Sequence, residues 1–289
     1  GVYYSFYPKI NLKTMDRTFF PGSEWPYFKI YLKPESSDTI LVKHIYPLVK
    51  KLLKQQLIDG WFFIRYSDPD YHIRLRFKIS DSKHLGEIMT ALYTTFQLPI
   101  RKHLISRIVI DTYIREIERY GSFGMERCES IFQYDSTLVC ESLNDEKMTK
   151  WIAGVLAMFY ISKSVFPDTE DQLNFISRRA KSYENEFNFN QDSMKQFNDL
   201  YRRHKQALMK VVDDEVIDDL KPIYSKLKKY RRIIDDSTEK MSADVLSSII
   251  HMHFNRLFAS SQRLAECMCY ILLERALKSY IARHKQAVN

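Results

Sequence analysis

Glycine and proline are scarce in this chain, 7 and 9 among 289 residues, and neither gathers into a stretch that would serve as a flexible linker. No low-complexity segment or fixed-period repeat interrupts the sequence, which argues against a string of separate modules. Cysteine is sparse too. Cys128, Cys140, Cys267 and Cys269 lack the spacing of a zinc site, and Cys267 and Cys269, two apart in a helical stretch, point in diverging directions. They read as reduced thiols. No run of about 20 apolar residues occurs; the longest, Trp151 to Ser162, is too short for a bilayer and reads as a buried helix. The opening Gly1-Val-Tyr-Tyr has no charged region followed by an apolar one, so no secretory signal is expected. The expectation is a soluble, cytoplasmic protein with no membrane partner.

Several chemical signatures are missing as well. There is no glycine-rich phosphate loop, no Gly-x-Ser-x-Gly elbow, no His-Glu-x-x-His and no Cys-x-x-Cys. Kinase, dinucleotide-dependent and zinc-hydrolase readings fall away, and neither cofactor nor metal is expected. What is present is globular material: 45% hydrophobic and 14% aromatic residues suffice for a large core, in one domain or two closely packed lobes. The net charge of +8 favours anionic partners, nucleic acid among them. Much of the excess, however, sits in runs such as Lys221 to Arg232, where Ile223, Leu227, Tyr230 and Ile233 mark an ordinary amphipathic helix with a solvated basic face.

The first half reads as strand-rich. After the Pro21-Gly22 turn, Trp25 to Leu32 is dense in aromatic and β-branched residues. Ile40 to Leu57 places Leu41, Ile45, Leu48, Val49, Leu52, Leu53 and Leu57 on one helical face, and Asp59-Gly60 ends it. Trp61 to Tyr66 and Tyr71 to Lys78 flank the turn Ser67 to Asp70 and predict an antiparallel pair. A helix over His84 to Phe96 and a strand over Arg107 to Ile114 follow. Past Cys140 the segments 147–162, 191–213, 216–234 and 244–281 all read helical, the last broken or bent near Ser260-Ser261. The expected class is α+β: a mixed, largely antiparallel sheet lobe packed with helices, approximately 1–140, then a mostly helical lobe, 141–289, in a single domain.

Three segments carry candidate chemistry. On a strand, His72, Arg74, Arg76 and Lys78 share one face while Ile73, Leu75 and Phe77 share the other. A polar face turned to water explains this without any function. Two guanidinium groups about 7 Å apart on one strand face nevertheless repel unless an anion lies between or beside them. Glu116 and Arg119 share a face only if the chain turns helical there, and a plain surface ion pair accounts for them equally well. His251 and His253 lie about 200° apart on a helix and cannot hold one metal together. Instead His251 shares a face with Asn255, and His253 with Arg256. A helix histidine is commonly structural, but its ordinary pKa makes His251 the best acid-base candidate in the chain.

Taken in order, Pro21-Gly-Ser-Glu-Trp25, Trp61-Phe-Phe-Ile-Arg-Tyr-Ser-Asp-Pro-Asp-Tyr-His-Ile-Arg-Leu-Arg76, Glu116-Ile-Glu-Arg-Tyr-Gly121, Ser130-Ile-Phe132 with Asp135-Ser136, and Ile250-His-Met-His-Phe-Asn-Arg-Leu257 resemble the C-terminal domain of class I lantibiotic dehydratases, also found in thiopeptide biosynthesis proteins. The resemblance covers nearly the whole chain. Each motif is weak alone; five in order are specific. One departure is Ser122, where that family commonly has a second glycine.

The resemblance implies a lyase. In that family a separate domain uses glutamyl-tRNA to esterify Ser and Thr of a precursor peptide, and this domain removes the glutamate, leaving dehydroamino acids. It implies catalytic roles for Arg74, Arg76, Glu116, Arg119 and His251, with His72, Tyr120, Asn255 and Arg256 as substrate-binding candidates. The implied partners are the precursor peptide and a glutamylating component, with no direct use of tRNA; pairing with a second copy of the chain is left open. The chemistry is coherent with these residue types. Elimination needs a base for the Cα proton and a grip on the departing glutamate, whose free carboxylate suits bidentate arginine, while Glu116 can take its ammonium group or orient an arginine. His251 is the expected base, with protonation of the leaving group as its other role. Competing readings are a thiopeptide pyridine-forming cyclase of the same family, a non-catalytic leader-peptide module, and a basic RNA-binding domain.

Overall fold

The structure, a computed structural model, describes residues 17–144, 149–215, 221–235 and 240–288. The opening segment from Gly1 and the part of the expected 216–234 helix before Lys221 lie outside the described residues, as does the side chain of Ile223. Four strands make the main sheet: β2 (Tyr27–Leu32), β3 (Gly60–Tyr66), β4 (His72–Lys78) and β5 (Ile105–Asp111), in the order β3-β4-β2-β5. The sheet, expected to be mixed but largely antiparallel, is antiparallel at every described pairing. Between β2 and β3 lie α1 (Pro34–Ile40) and α2 (Tyr46–Lys54), joined by a π-helical stretch at Leu41–Ile45; α3 (Leu85–Arg101) separates β4 from β5. This is the βαββαβ plan of ferredoxin-like sheets. A two-residue strand, β1 (Thr18–Phe19), pairs with β6 (Tyr113–Ile114) beside it.

Strand alternation decides which layer goes where. Phe28, Ile30, Trp61, Phe63, Ile73, Leu75 and Phe77 form one face and bury themselves under α1 to α3, with Ile40, Leu48, Val49, Leu52, Ile88 and Phe96 opposite. The other face carries Tyr27, Phe62, Ile64, Arg74 and Arg76, aligned across β2, β3 and β4 by register. Tyr27 and Phe62 on this face join the core built by the helices that follow β6, whereas Arg107 and Val109 of β5 stay exposed.

Those helices are α4 (Ile117–Tyr120), α5 (Met125–Leu143), α6 (Lys150–Val165), α7 (Thr169–Phe187), α8 (Gln191–Val212), α9 (Lys221–Asp235), α10 (Ala243–Leu257) and α11 (Gln262–Val288). In α6 every residue from Ala153 to Ser162 is buried, as an all-round apolar segment too short for a membrane must be. Among the described residues no helix is long and apolar enough to cross a bilayer. All four cysteines are free and buried. The expected lobe boundary near 140 falls inside α5, whose Val139 and Cys140 pack in the sheet-side core and whose Cys128, Ile131, Phe132 and Leu138 pack in the helical one.

The two cores meet at the outer edge of β3. An edge strand exposes unpaired backbone groups, and here helix side chains take them. Ser136 of α5 accepts from Phe63 N at 3.2 Å, Arg256 Nε donates to Phe63 O at 2.8 Å, and Asn255 accepts from Arg65 N at 2.9 Å and donates to Arg65 O at 2.8 Å. Asp135, fully buried, balances the charge brought in: its oxygens accept from His253 Nδ1 at 2.7 Å and Arg256 Nη1 at 2.9 Å. Burial alone would raise its carboxyl pKa, but His253 and Arg256 outweigh that and hold it below the ordinary range. A carboxylate held low in the folded state stabilises above its unfolded pKa, and that stability is lost as pH falls through the folded value. Urea denaturation should therefore show Asp135→Ala destabilised by about 3–5 kcal/mol at neutral pH, because Arg256 is left as a lone buried cation. Asp135→Asn should lose the part of the acid sensitivity that the wild type shows below the usual carboxylate range.

Candidate active site

The cationic row on β4 faces a cavity of about 440 Å³ between the sheet, the β6–α4 segment and α10. Arg74, Arg76, Glu116, Arg119 and His251 all line it, together with Tyr120 and Asn255. His72 and Arg256, grouped by resemblance with substrate-binding residues, are not among its lining. Arg256 is committed to Asp135 and the β3 edge, and His72 lies fully buried beneath Arg74. Asn255 reaches the cavity wall, but its amide oxygen and nitrogen are both engaged by the Arg65 backbone.

Arg76 is the unusual group. Its guanidinium carbon lies 4.3 Å from the Tyr27 ring centroid, 4.6 Å from that of Tyr113 and 5.1 Å from that of Phe62. Three ring faces favour a cation there. The side chain is 6% exposed, yet its Nε and Nη1 have no hydrogen-bond partner. Burial draws its pKa below the usual arginine value, but a guanidinium stays charged at any ordinary pH. Nor do the phenols around it supply a counter-charge: burial is the largest influence on Tyr27 and Tyr113 and raises both. Among the described residues, every other arginine buried to a similar degree has a carboxylate: Arg65 pairs with Asp38 at 2.7 Å, Arg115 with Glu129 at 2.7 Å and Arg256 with Asp135 at 2.9 Å. Arg76 alone among the described buried arginines has no carboxylate in contact; Glu116, also on the cavity lining, acts on it only through space.

Two further arginines add positive charge to the cavity lining. The Arg74 guanidinium carbon sits 3.4 Å from the Tyr66 ring centroid. The chain turns helical at Ile117, which brings Arg119 to within 2.8 Å of Glu116 as an exposed pair at the cavity rim. Gly121 ends that turn with φ of 48°, a conformation that favours glycine; the Ser122 side chain lies outside the described residues.

Opposite the arginines stands His251. Its Nδ1 is 2.8 Å from Oε2 of Glu266, a fully buried residue of α11. An ionised carboxylate only accepts, so the Nδ1 hydrogen points at Glu266 and the lone pair of Nε2 is left free. This is the orientation in which a carboxylate sets up a histidine as a base. The sequence reading did not find Glu266. It is separated from His251 by the irregular link between α10 and α11, where Ser261 has a positive φ, and no helical spacing connects the two. The aromatic box around Arg76 was likewise unmarked, since its rings come from three separate strands.

Comparison with known proteins places this arrangement. In solved structures the same fold occurs in the tRNA-dependent lantibiotic dehydratase MibB from Microbispora sp. 107891, with a TM-score of 0.66 and 18% identity, covering 91% of this chain and 29% of that one. It occurs also in the pyridine synthase TbtD from thiomuracin biosynthesis, with a TM-score of 0.63 and 11% identity, covering 88% of this chain and 97% of that one. The family described as "Lantibiotic biosynthesis dehydratase C-term" matches residues 25–277, and the chain belongs to it. Curated relatives include the nisin biosynthesis protein NisB of Lactococcus lactis subsp. lactis, 30% identical over 275 residues, and the subtilin biosynthesis protein SpaB of Bacillus subtilis, 29% identical over 266. The alignments cover 90% and 86% of this chain but only 26% and 25% of those relatives, so the chain spans about a quarter of their length.

A buried cation without a counter-ion is costly unless a ligand supplies one. Arg76→Met should leave folding stability unchanged or raise it by up to about 2 kcal/mol, as an apolar side chain of similar volume replaces the lone charge. The same variant should lose calorimetrically detected binding of free glutamate. Wild-type affinity in the variant would mean that the anion seat lies elsewhere.

Proposed function

We propose that this chain is a glutamate-eliminating lyase acting on glutamylated Ser and Thr of a ribosomally made precursor peptide. The observation that carries the reading is the buried, unpartnered Arg76 facing the same cavity as Arg74, Arg119 and a carboxylate-oriented His251. Membership of the dehydratase C-terminal family supports it from the side of sequence.

In this reading the departing glutamate supplies the anion that Arg76 lacks. His251 Nε2 takes the Cα proton of the esterified residue, the released electron pair forms the Cα=Cβ double bond, and the Cβ–O bond breaks as glutamate leaves as a carboxylate. Atoms and charge balance with no further reactant. Arg74 and Arg76 hold the leaving group, and the positive wall stabilises the enolate that develops as the proton departs. Glu116, already turned toward Arg119, orients that arginine or receives the glutamate ammonium group. Glutamylation itself falls to another component, and the relatives' much greater length leaves room for one in the same polypeptide.

Given a peptide already glutamylated, His251→Ala should accumulate the ester without alkene, as followed by mass spectrometry; unimpaired loss of glutamate would remove His251 from the reaction. Glu266→Gln should fold normally yet slow elimination by about 10²-fold or more, because an amide in place of the carboxylate no longer fixes the imidazole tautomer. A peptide carrying dehydroalanines instead of esters should pass through the wild-type protein unchanged. Its conversion to a pyridine-containing ring would favour the cyclase chemistry.

A further inference from the structure

His72 is fully buried, lies outside the cavity lining, and still touches one of its arginines. Its Nδ1 is 2.7 Å from the backbone oxygen of Asp70. A carbonyl oxygen only accepts, so Nδ1 carries the hydrogen, and in a neutral imidazole the lone pair then resides on Nε2. That nitrogen is 3.2 Å from Arg74 Nε, whose N–H donates to it. The ring itself is fixed by packing against Tyr31 and Tyr66, with centroids 4.7 and 5.6 Å away. Arg74 is thus held by an imidazole acceptor at its Nε and by the Tyr66 ring across its plane, with the remaining guanidinium nitrogens left for the cavity.

We propose that His72 is a positioning residue for Arg74: a neutral imidazole, locked in one tautomer by the Asp70 carbonyl, that aims this guanidinium at the substrate anion. The proposal rests on the carboxylate-binding reading of the cavity. It assigns His72 a task that does not involve touching substrate.

The arrangement is sensitive to acid. A second proton on His72 would turn the acceptor into a donor facing a donor, beside a cation, and would release Arg74. The surroundings oppose that proton. Burial is the largest influence and lowers the His72 pKa below its ordinary 6.5; Arg74 on the same strand, Lys29 of β2 and Arg107 of β5 push the same way, and only the Asp70 carbonyl opposes them. Of the other groups at this position, Tyr31 and Tyr66 present ring faces, and the Asp70 carboxylate is turned to Arg107 at 3.5 Å. Because the folded pKa is depressed, the latch is intact at neutral pH and lost only as pH falls through that lowered value.

Nitrogen-15 NMR of the chain without substrate tests this directly. The Nδ1–H tautomer of His72 should be seen at neutral pH, and the Arg74 Nε–H signal should shift and exchange faster in step with His72 protonation. In His72→Phe, which keeps the ring packing but removes the acceptor, Arg74 Nε–H should exchange rapidly and free glutamate should bind about tenfold more weakly, the loss of one hydrogen bond to a charged group. His72→Gln, which restores an acceptor, should recover most of that affinity. Thermal melts check that both variants are folded. An Nε2–H tautomer, an Arg74 signal indifferent to His72, or unchanged glutamate affinity in His72→Phe would each overturn the proposal. If the coupling between His72 and Arg74 holds but the wild type binds no glutamate, the positioning role stands and the carboxylate-binding reading is what fails.

Discussion

The outer edge of β3 is where the two halves of this chain are joined, and the joint consists of side chains standing in for a missing strand. Ser136, Asn255 and Arg256 answer the backbone groups of Phe63 and Arg65. Such bonds are directional and short in reach, so α10 is fixed along β3 to a fraction of an ångström instead of merely resting on it. His251 lies one helical turn before Asn255 and on the same face, while Phe62 and Ile64 of β3 are in register with Arg76 and Arg74 of β4. Fixing Asn255 to Arg65 therefore keeps His251 on the cavity that Arg74 and Arg76 also line. In the elimination proposed above, proton transfer by His251 would tolerate little misplacement, and the position of α10 that it relies on follows from a sheet-edge contact.

The same contact explains why the His251 to Arg256 segment holds residues of such different burial. One face of α10 reaches the cavity, and the other enters the core with a charge. Asp135, on the same helix α5 that supplies Ser136, makes the second possible by accepting from both His253 and Arg256. A second buried ion pair works in parallel at the far side of the cavity, where Glu129 of α5 binds Arg115 in two places and receives the Tyr113 hydroxyl at 2.8 Å, bracing the segment that carries Glu116 and Arg119. Helix α5 thus anchors both walls, without lending a charged group of its own to the hollow.

Much of this was legible in the sequence because it follows from periodicity. Alternation on β4 separated Ile73, Leu75 and Phe77 from Arg74 and Arg76, and a four-residue spacing put His251 with Asn255. Long apolar patterns located α2, α6 and the bend between α10 and α11. Periodicity says which residues share a face, however, and not what that face meets. His72 and Arg256 belong with the right neighbours but point into packed interior. Helix α5 escaped notice because its buried side includes Glu129, Asp135, Ser136 and Ser142, which blur the apolar stripe. Helix α7 buries only five spaced residues and is otherwise strongly polar. Glu266 depends on an irregular link whose direction no local rule determines.

Closing β3 with the chain's own helices also bears on how this protein meets others of its kind. Cross-β growth needs two open edges per unit, one to receive a strand and one to offer the next. Among the described residues, at most the β5 side of the four-stranded sheet is open, so recruitment through that sheet would stop at a pair. The helix contacts that hold His251 beside the sheet thus also close one of its edges to a further strand.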